Sequence, residues 1–135
     1  MDVEDVIRLR LVEDQAAAAI LADYELTKAV FWVLRVQGSA TPAIVLTWVS
    51  ADVAETMKGP QRLRFTRLQV DTYAESVAAA QQLRDAAIEA LRPRYRGHDY
   101  YFRPASIYGS RDLAEETRTV PLYRTSTDMI VRFSP

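Results

Sequence analysis

The C-terminal stretch alternates without a break. From Leu122 to Phe133, the residues Tyr123, Thr125, Thr127, Met129, Val131 and Phe133 fall on one side of an extended chain. Arg124, Ser126, Asp128 and Arg132 fall on the other. A period of two does not fit a helix; it demands a strand with one buried and one wet face. Such strands belong to antiparallel sheets, because parallel sheets are usually buried on both faces. The rest of the chain must therefore supply partner strands and a cover for one face.

Three earlier segments read as those partners. Ala29 to Val36 is a continuous apolar, β-branched and aromatic run. A turn at Gln37 to Pro42 leads to a second strand, Ala43 to Ser50, with both faces at least partly buried. A polar connection, Ala51 to Arg62, carries the turn signal Lys58-Gly59-Pro60-Gln61. The third strand, Leu63 to Tyr73, changes phase: Leu63 and Phe65 lie on one face, Leu68 and Val70 on the other. That predicts a bulge or bend near Thr66, or a strand that leaves its sheet to meet another surface. The hairpin Asp52 to Phe65 is thus expected to reach beyond its own domain.

Two segments carry helical periodicity. Val3 to Leu21 has Val3, Ile7 and Leu11 on one stripe, with Asp2 as N-cap and Glu4 and Asp5 at the positive end of the dipole. Ala74 to Leu91 places Val77, Ala80, Leu83, Ala87, Ile88 and Leu91 on one stripe, and Pro93 ends it. Asp99 to Tyr108 reads as a further strand and Gly109 to Pro121 as a charged loop. The order is helix, three strands, helix, two strands. It predicts an α+β fold: a mainly antiparallel sheet, the long second helix packed on one face, and an N-terminal helix. At 135 residues this is one domain, 1–135.

Chemistry is sparse. Without cysteine there is no disulfide or thiolate site. The four glycines form no phosphate-binding loop. His98, the one histidine, sits in Arg96-Gly97-His98-Asp99, where a surface turn is the plainer reading than a base or ligand. Ser106, His98 and Asp112 can be written as a triad, but no nucleophile elbow supports it. Glu13-Asp14 and Glu115-Glu116 lack the spacing of an oxygen-ligand metal loop. No catalytic residue, metal or cofactor is expected. The N-terminus lacks the basic and apolar segments of a signal peptide, and no run of about 18 apolar residues suggests a membrane span.

Net charge is −1, so bulk charge makes no case for nucleic acid. Fifteen of the 17 basic residues are arginine, which suits planar recognition of carboxylates. Arg62, Arg64 and Arg67, with Arg92, Arg94 and Arg96, could form a basic stripe, or could pair with acids within or between subunits. The aromatic cluster Tyr95, Tyr100, Tyr101, Phe102 and Tyr108 suits an interface or the core. A binding module for nucleic acid or a small ligand, using the tyrosines and Arg62, Arg64 and Arg67, is the alternative from another class.

Three ordered stretches carry a resemblance. The first is Thr41-Pro42-Ala43-Ile44-Val45-Leu46. The second is Gly59-Pro60 followed by Arg67-Leu68-Gln69-Val70-Asp71-Thr72-Tyr73-Ala74, running into an alanine-rich helix with Ala86 to Leu91. The third is Ser110-Arg111-Asp112-Leu113, then Leu122 to Val131. Together they resemble the tail-component family of long-tailed bacteriophages, the tail-terminator or tail-completion proteins. In place of the glycine-rich turn frequent in that family before the first strand stands Asp23-Tyr24-Glu25-Leu26-Thr27-Lys28. The resemblance implies a structural virion protein, not an enzyme. It would form a homohexameric ring at the head-proximal end of the tail, capping the tail tube and joining it to the head. The implied partners are other copies of itself, the tail tube protein and the head–tail connector or stopper protein. No membrane is implied, and DNA at most passes through the ring lumen. Assembly would take place in the host cytoplasm. On this reading the interface residues are Thr56, Met57, Lys58, Arg62, Arg64, Arg111, Asp112, Glu115 and Glu116.

Overall fold

The computed structural model describes residues 2–13, 30–32, 43–56, 59–115 and 122–135; Phe31 and segments 50–56, 59–63 and 113–115 are described by backbone alone. The elements in order are α1 (Val3–Glu13), β1 (Val30–Trp32), β2 (Ala43–Thr56), β3 (Gly59–Ala74), α2 (Val77–Leu91), β4 (Tyr95–Gly97), β5 (Tyr100–Phe102), β6 (Ser106–Glu115) and β7 (Leu122–Ser134). The fold is α+β, as the patterning predicts. Residues 14–21 and 33–36 of the expected first helix and strand lie outside the described residues.

The alternating C-terminal strand is at the centre. β7 pairs antiparallel with β3 on one side, from Ala74↔Tyr123 to Arg64↔Phe133 without a break. Its other side is shared between β6, along Leu122 to Ile130, and β5, at Phe133 and Ser134. β2 flanks β3 antiparallel, and β1 adds a short parallel edge. The β7 phase falls as its pattern demands: Thr125, Thr127, Met129, Val131 and Phe133 are buried. Leu68, Val70 and Thr72 of β3 and Ile44 and Leu46 of β2 continue that face.

α2 covers it. Ser76 is the N-cap, its Oγ accepting from the Ala79 N–H at 3.1 Å, and the Arg92 N–H closes the last turn on the Ile88 carbonyl at 2.8 Å. Ala80, Leu83, Ala87, Ile88 and Leu91 are buried as the stripe predicts, but Val77, in the first turn, is exposed. Thr72 donates to the Ala80 carbonyl (2.9 Å) and also meets Thr125, so buried hydroxyls beneath the helix are satisfied. α1 lies beside α2. It is capped by Asp2, whose Oδ1 accepts from the Asp5 N–H at 3.0 Å; that bond holds the Asp2 carboxyl below its ordinary range. Glu4 anchors both indoles: its carbonyl accepts from Trp32 Nε1 and its Oε1 from Trp48 Nε1, each at 3.1 Å.

Four expectations are corrected. Ala51 to Arg62 is no polar connection; β2 and β3 run on as a paired ribbon to Thr56↔Gly59, leaving 57 and 58 between them outside the described residues. Gly109 to Glu115 is strand β6, not loop; only 116–121 separate it from β7, outside the described residues. Asp99 to Tyr108 is not one strand, because Arg103 to Ala105 breaks it around Pro104. The irregularity expected near Thr66 is split between two places, one of them on β3 itself, where 61–63 stand opposite the single residue 54 between Val53↔Arg64 and Glu55↔Pro60. β3 keeps register with β7, whereas Val49 of β2 is the extra residue between Trp48↔Leu68 and Ser50↔Arg67.

Candidate functional site

The register places the two long hairpins at opposite ends of the sheet. Pairing of β3 with β7 stops at Arg64↔Phe133, but β3 continues back to Gly59, paired only with β2. Residues 59–63 therefore form, with 54–56 of β2, a two-stranded arm paired at Glu55↔Pro60 and Thr56↔Gly59, with a register shift between Val53 and Glu55; on the β2 side it overhangs by about 10 Å at ~3.3 Å per residue. At the far end, β6 and β7 meet at Glu115↔Leu122, one pair beyond Ala74↔Tyr123. From Tyr123 to Phe133 the two ends are about 33 Å apart along β7.

The predicted interface residues divide between these ends. Thr56 pairs with Gly59 in the arm, Arg62 lies within it, and Arg64 is exposed at its root. Arg111, Asp112 and Glu115 lie on β6 toward the other end. Arg111 is exposed, while Asp112 accepts from Gln81 (3.2 Å) and Arg84 (3.3 Å) of α2. Met57, Lys58 and Glu116 lie outside the described residues. The set is thus two surfaces, not one.

The tyrosine cluster does not form a common surface. Phe102 is fully buried, with Tyr95 and Tyr100 packed around it at 6.2 and 6.3 Å between ring centroids. Tyr108 stands out at 66% exposure on the open edge strand β6, beside exposed Ile107. The triad fails as well: Ser106 accepts from Arg132 and Asp112 from Arg84, on opposite sides of β6. His98 is exposed at the β4–β5 turn with φ 53°, followed by Asp99 at φ 68°. Among the described residues no group of acidic or histidine side chains could hold a metal. None of their helices is long and apolar enough to cross a membrane.

The arginines are sorted in a way the sequence conceals. Arg64, Arg67, Arg92 and Arg96 do not make one stripe. Arg64 shares its row with Phe133 and Phe102, and Arg92 ends α2, with Glu89 at 3.9 Å. Arg67, Arg124 and Arg132 instead lie on the side of the sheet away from α2, out of phase with the buried residues. There Arg67 pairs with Asp128 at 2.8 Å and Arg124 with Asp71 at 3.0 Å. One arginine that spacing did not single out is structural. Arg10 reaches from α1 to donate from Nη2 to the carbonyls of Ala90 (3.1 Å) and Pro93 (2.9 Å) at the end of α2. Its guanidinium lies 4.8 Å from the Tyr95 ring centroid and 5.1 Å from that of Phe102. Burial lowers its pKa to about 10, partly offset by Tyr95, so it remains a cation at neutral pH.

Among the described residues, the features that stand out are an open edge strand, an overhanging ribbon and the two faces of the sheet. The profile of one family, tail completion protein gp17, matches residues 5–126, and the chain belongs to that family. It is a structural protein of a phage-type tail. No curated protein sequence matches it. The fold is similar to that of a chain in the virion of a native gene transfer agent particle. The two share 14% identity with a TM-score of 0.71, over 98% of this chain and 95% of that one.

Proposed function

We propose that the chain is a tail terminator: a single-domain protein (1–135) whose copies, six by the family resemblance, form a ring at the head-proximal end of the tail. The ring caps the tail tube and receives the head–tail connector or stopper protein. The observation that carries this reading is the overhanging arm. A two-stranded ribbon is marginally stable alone in water, so one that projects past its own sheet gains from a neighbour's surface. An arm on one copy seated on a different patch of the next is a heterologous contact, the kind that closes rings. The family match and the virion fold likeness support a place in the tail.

On this reading Thr56, Met57, Lys58, Arg62 and Arg64 serve one contact, and Arg111, Asp112, Glu115 and Glu116 the other. The protein assembles in the host cytoplasm, uses no cofactor and catalyses nothing. The test is deletion of Thr56 to Gln61, followed by electron microscopy of particles. The expected result is a folded protein that no longer enters rings, with tails unjoined to heads. Normal particles from the deletion, or a symmetric dimer as the sole self-contact in the particle, would overturn the proposal.

A further inference from the structure

Arg10 is a buried cation, 7% exposed, and no carboxylate lies within ion-pair distance of it among the described residues. Buried charges are ordinarily paired. Its hydrogen bonds, to the carbonyls of Ala90 and Pro93, both leave from Nη2; Nε and Nη1 make none among the described residues. Nor does the side chain end in packed protein. With Glu13, Arg94 and Tyr95 it borders a hollow of about 200 Å³. A second hollow, of about 370 Å³, adjoins the first along Arg94 and Tyr95 and is completed by Arg96 and Tyr101. β4 pairs with β5 alone, so both hollows lie at an outer edge of the sheet.

Three arginines therefore surround Tyr95, against one carboxylate, Glu13, among the described lining residues. Glu13, Arg94 and Arg96 are all exposed, and neither of these arginines has an ion-pair partner among the described residues. Two further acids of this neighbourhood do not line the hollows: Glu89 stands 3.9 Å from Arg92, and Asp99 lies at the β4–β5 turn. Rings hold two of the guanidinium planes. Arg10 is 4.8 Å from the Tyr95 centroid and Arg96 5.4 Å from that of Tyr101. A guanidinium lying over a ring keeps its edge donors for planar, two-oxygen acceptors.

We infer that the cleft around Tyr95 receives a glutamate side chain of a docked protein. Its carboxylate is taken by Arg94, which both hollows share, with Arg10 and Arg96 flanking it. Its methylenes lie against Tyr95 and Tyr101. A carboxylate matches the guanidinium fork, and ring faces beside the forks match an aliphatic stem. A nucleic-acid backbone laid across the sheet from this edge would meet Asp71 and Asp128; a single side chain entering at the edge avoids both. Which neighbour supplies the glutamate rests on the proposed function, but the cleft belongs to the free chain and is tested there.

The purified full chain is titrated with a triglutamate peptide capped at both ends, and arginine Nε–H signals are followed by NMR. Those of Arg10, Arg94 and Arg96 should shift together and saturate. Arg94→Gln with Arg96→Gln should weaken the peptide by about tenfold or more, since hydrogen bonds to charged groups are lost. Both residues are exposed, so the melting temperature should hold; Arg10 is left in place because it also secures the end of α2. Glu13→Gln removes the competing carboxylate and should tighten binding. Arg84→Gln with Arg111→Gln, away from the hollows, should leave it unchanged. No saturable shift, or equal losses in the two double variants, would overturn the inference. Tighter binding of inorganic phosphate than of the peptide would also overturn it, and would assign the cleft to a phosphate group.

Discussion

Arg10 ties α1 to the end of α2 and to the β4–β5 hairpin. It occupies the helix-end carbonyls of α2, lies over Tyr95 and Phe102, and is itself part of α1. Removing a donor from buried carbonyls costs more than the bond itself contributes. Arg10→Ala should therefore destabilise the chain by about 2–4 kcal/mol, read by urea denaturation, through lost bonds and lost stem packing. Arg10→Lys should recover only part of that, because an ammonium cannot spread over two carbonyls and two rings as a planar fork does. The sign of its pH effect follows from its pKa, which burial lowers on folding to about 10. The unfolded chain binds the proton more tightly, so this group adds stability only as pH rises above about 10 and makes no slope near neutrality. His98 is the opposite case: exposed, at positive φ, in a two-residue turn. His98→Ala should leave particle assembly intact, and tailless or non-infectious particles would show that this histidine has work to do.

At the scale of elements, what could be read in the sequence depended on how differently an element's two faces are wetted. β7 was plain because one face meets α2 and the other is charged. α2 was plain for the same reason, with Leu83 and Ala87 buried and Asp85 and Glu89 exposed. The part of β6 from Gly109 to Glu115 read as a loop because it is an edge strand: residues 109–112 are all exposed, so no apolar alternation marks it. The arm was hidden likewise, since a ribbon beyond the sheet has no core to pattern its residues. The shift in apolar phase did signal something real: a register shift at 61–63 of β3, with a second at Val49 of the partner strand. Pairing across strands is a property that one segment's sequence does not carry. The edge strand makes its own prediction. Hydrogen exchange in residues 109–115 should be faster in the free protein than in β7, and should slow when the tail tube or connector protein binds. Unchanged exchange in the assembled particle would remove β6 from the docking surfaces.

At the scale of the molecule, the proposed contact residues were found as residues but not as a set. Nothing in their spacing says that Arg64 and Glu115 stand at opposite ends of one sheet. Nor does a net charge of −1 disclose that Arg67, Arg124 and Arg132 share the side of the sheet away from α2. Folding did that sorting, through the parity of two strands in register. If the two ends meet different neighbours, as proposed, each can be altered without disturbing the other. Arg64→Glu and Arg111→Glu should accordingly weaken different associations, one with each neighbour. Native mass spectrometry with separate partners should show independent losses, and identical losses would mean that the two ends act as one.

β3 runs the full distance between those ends, from the overhanging tip to the start of α2, with β2 along one flank and, from Arg64 to Ala74, β7 along the other. Ladder bonds lie across the strand. A pull along the axis therefore loads many of them in shear at once, whereas a sideways pull opens them in succession like a zipper. The chain has no cysteine of its own, so engineered thiols give unique handles. Force applied between Gln61→Cys on β3 and Tyr123→Cys at the far end of β7 should rupture at several times the force needed between Glu75→Cys and Tyr123→Cys, which lie at the same end of that pair, with comparable rupture forces sinking the idea. A head and a tail under tension would then be held by the strongest direction the sheet possesses.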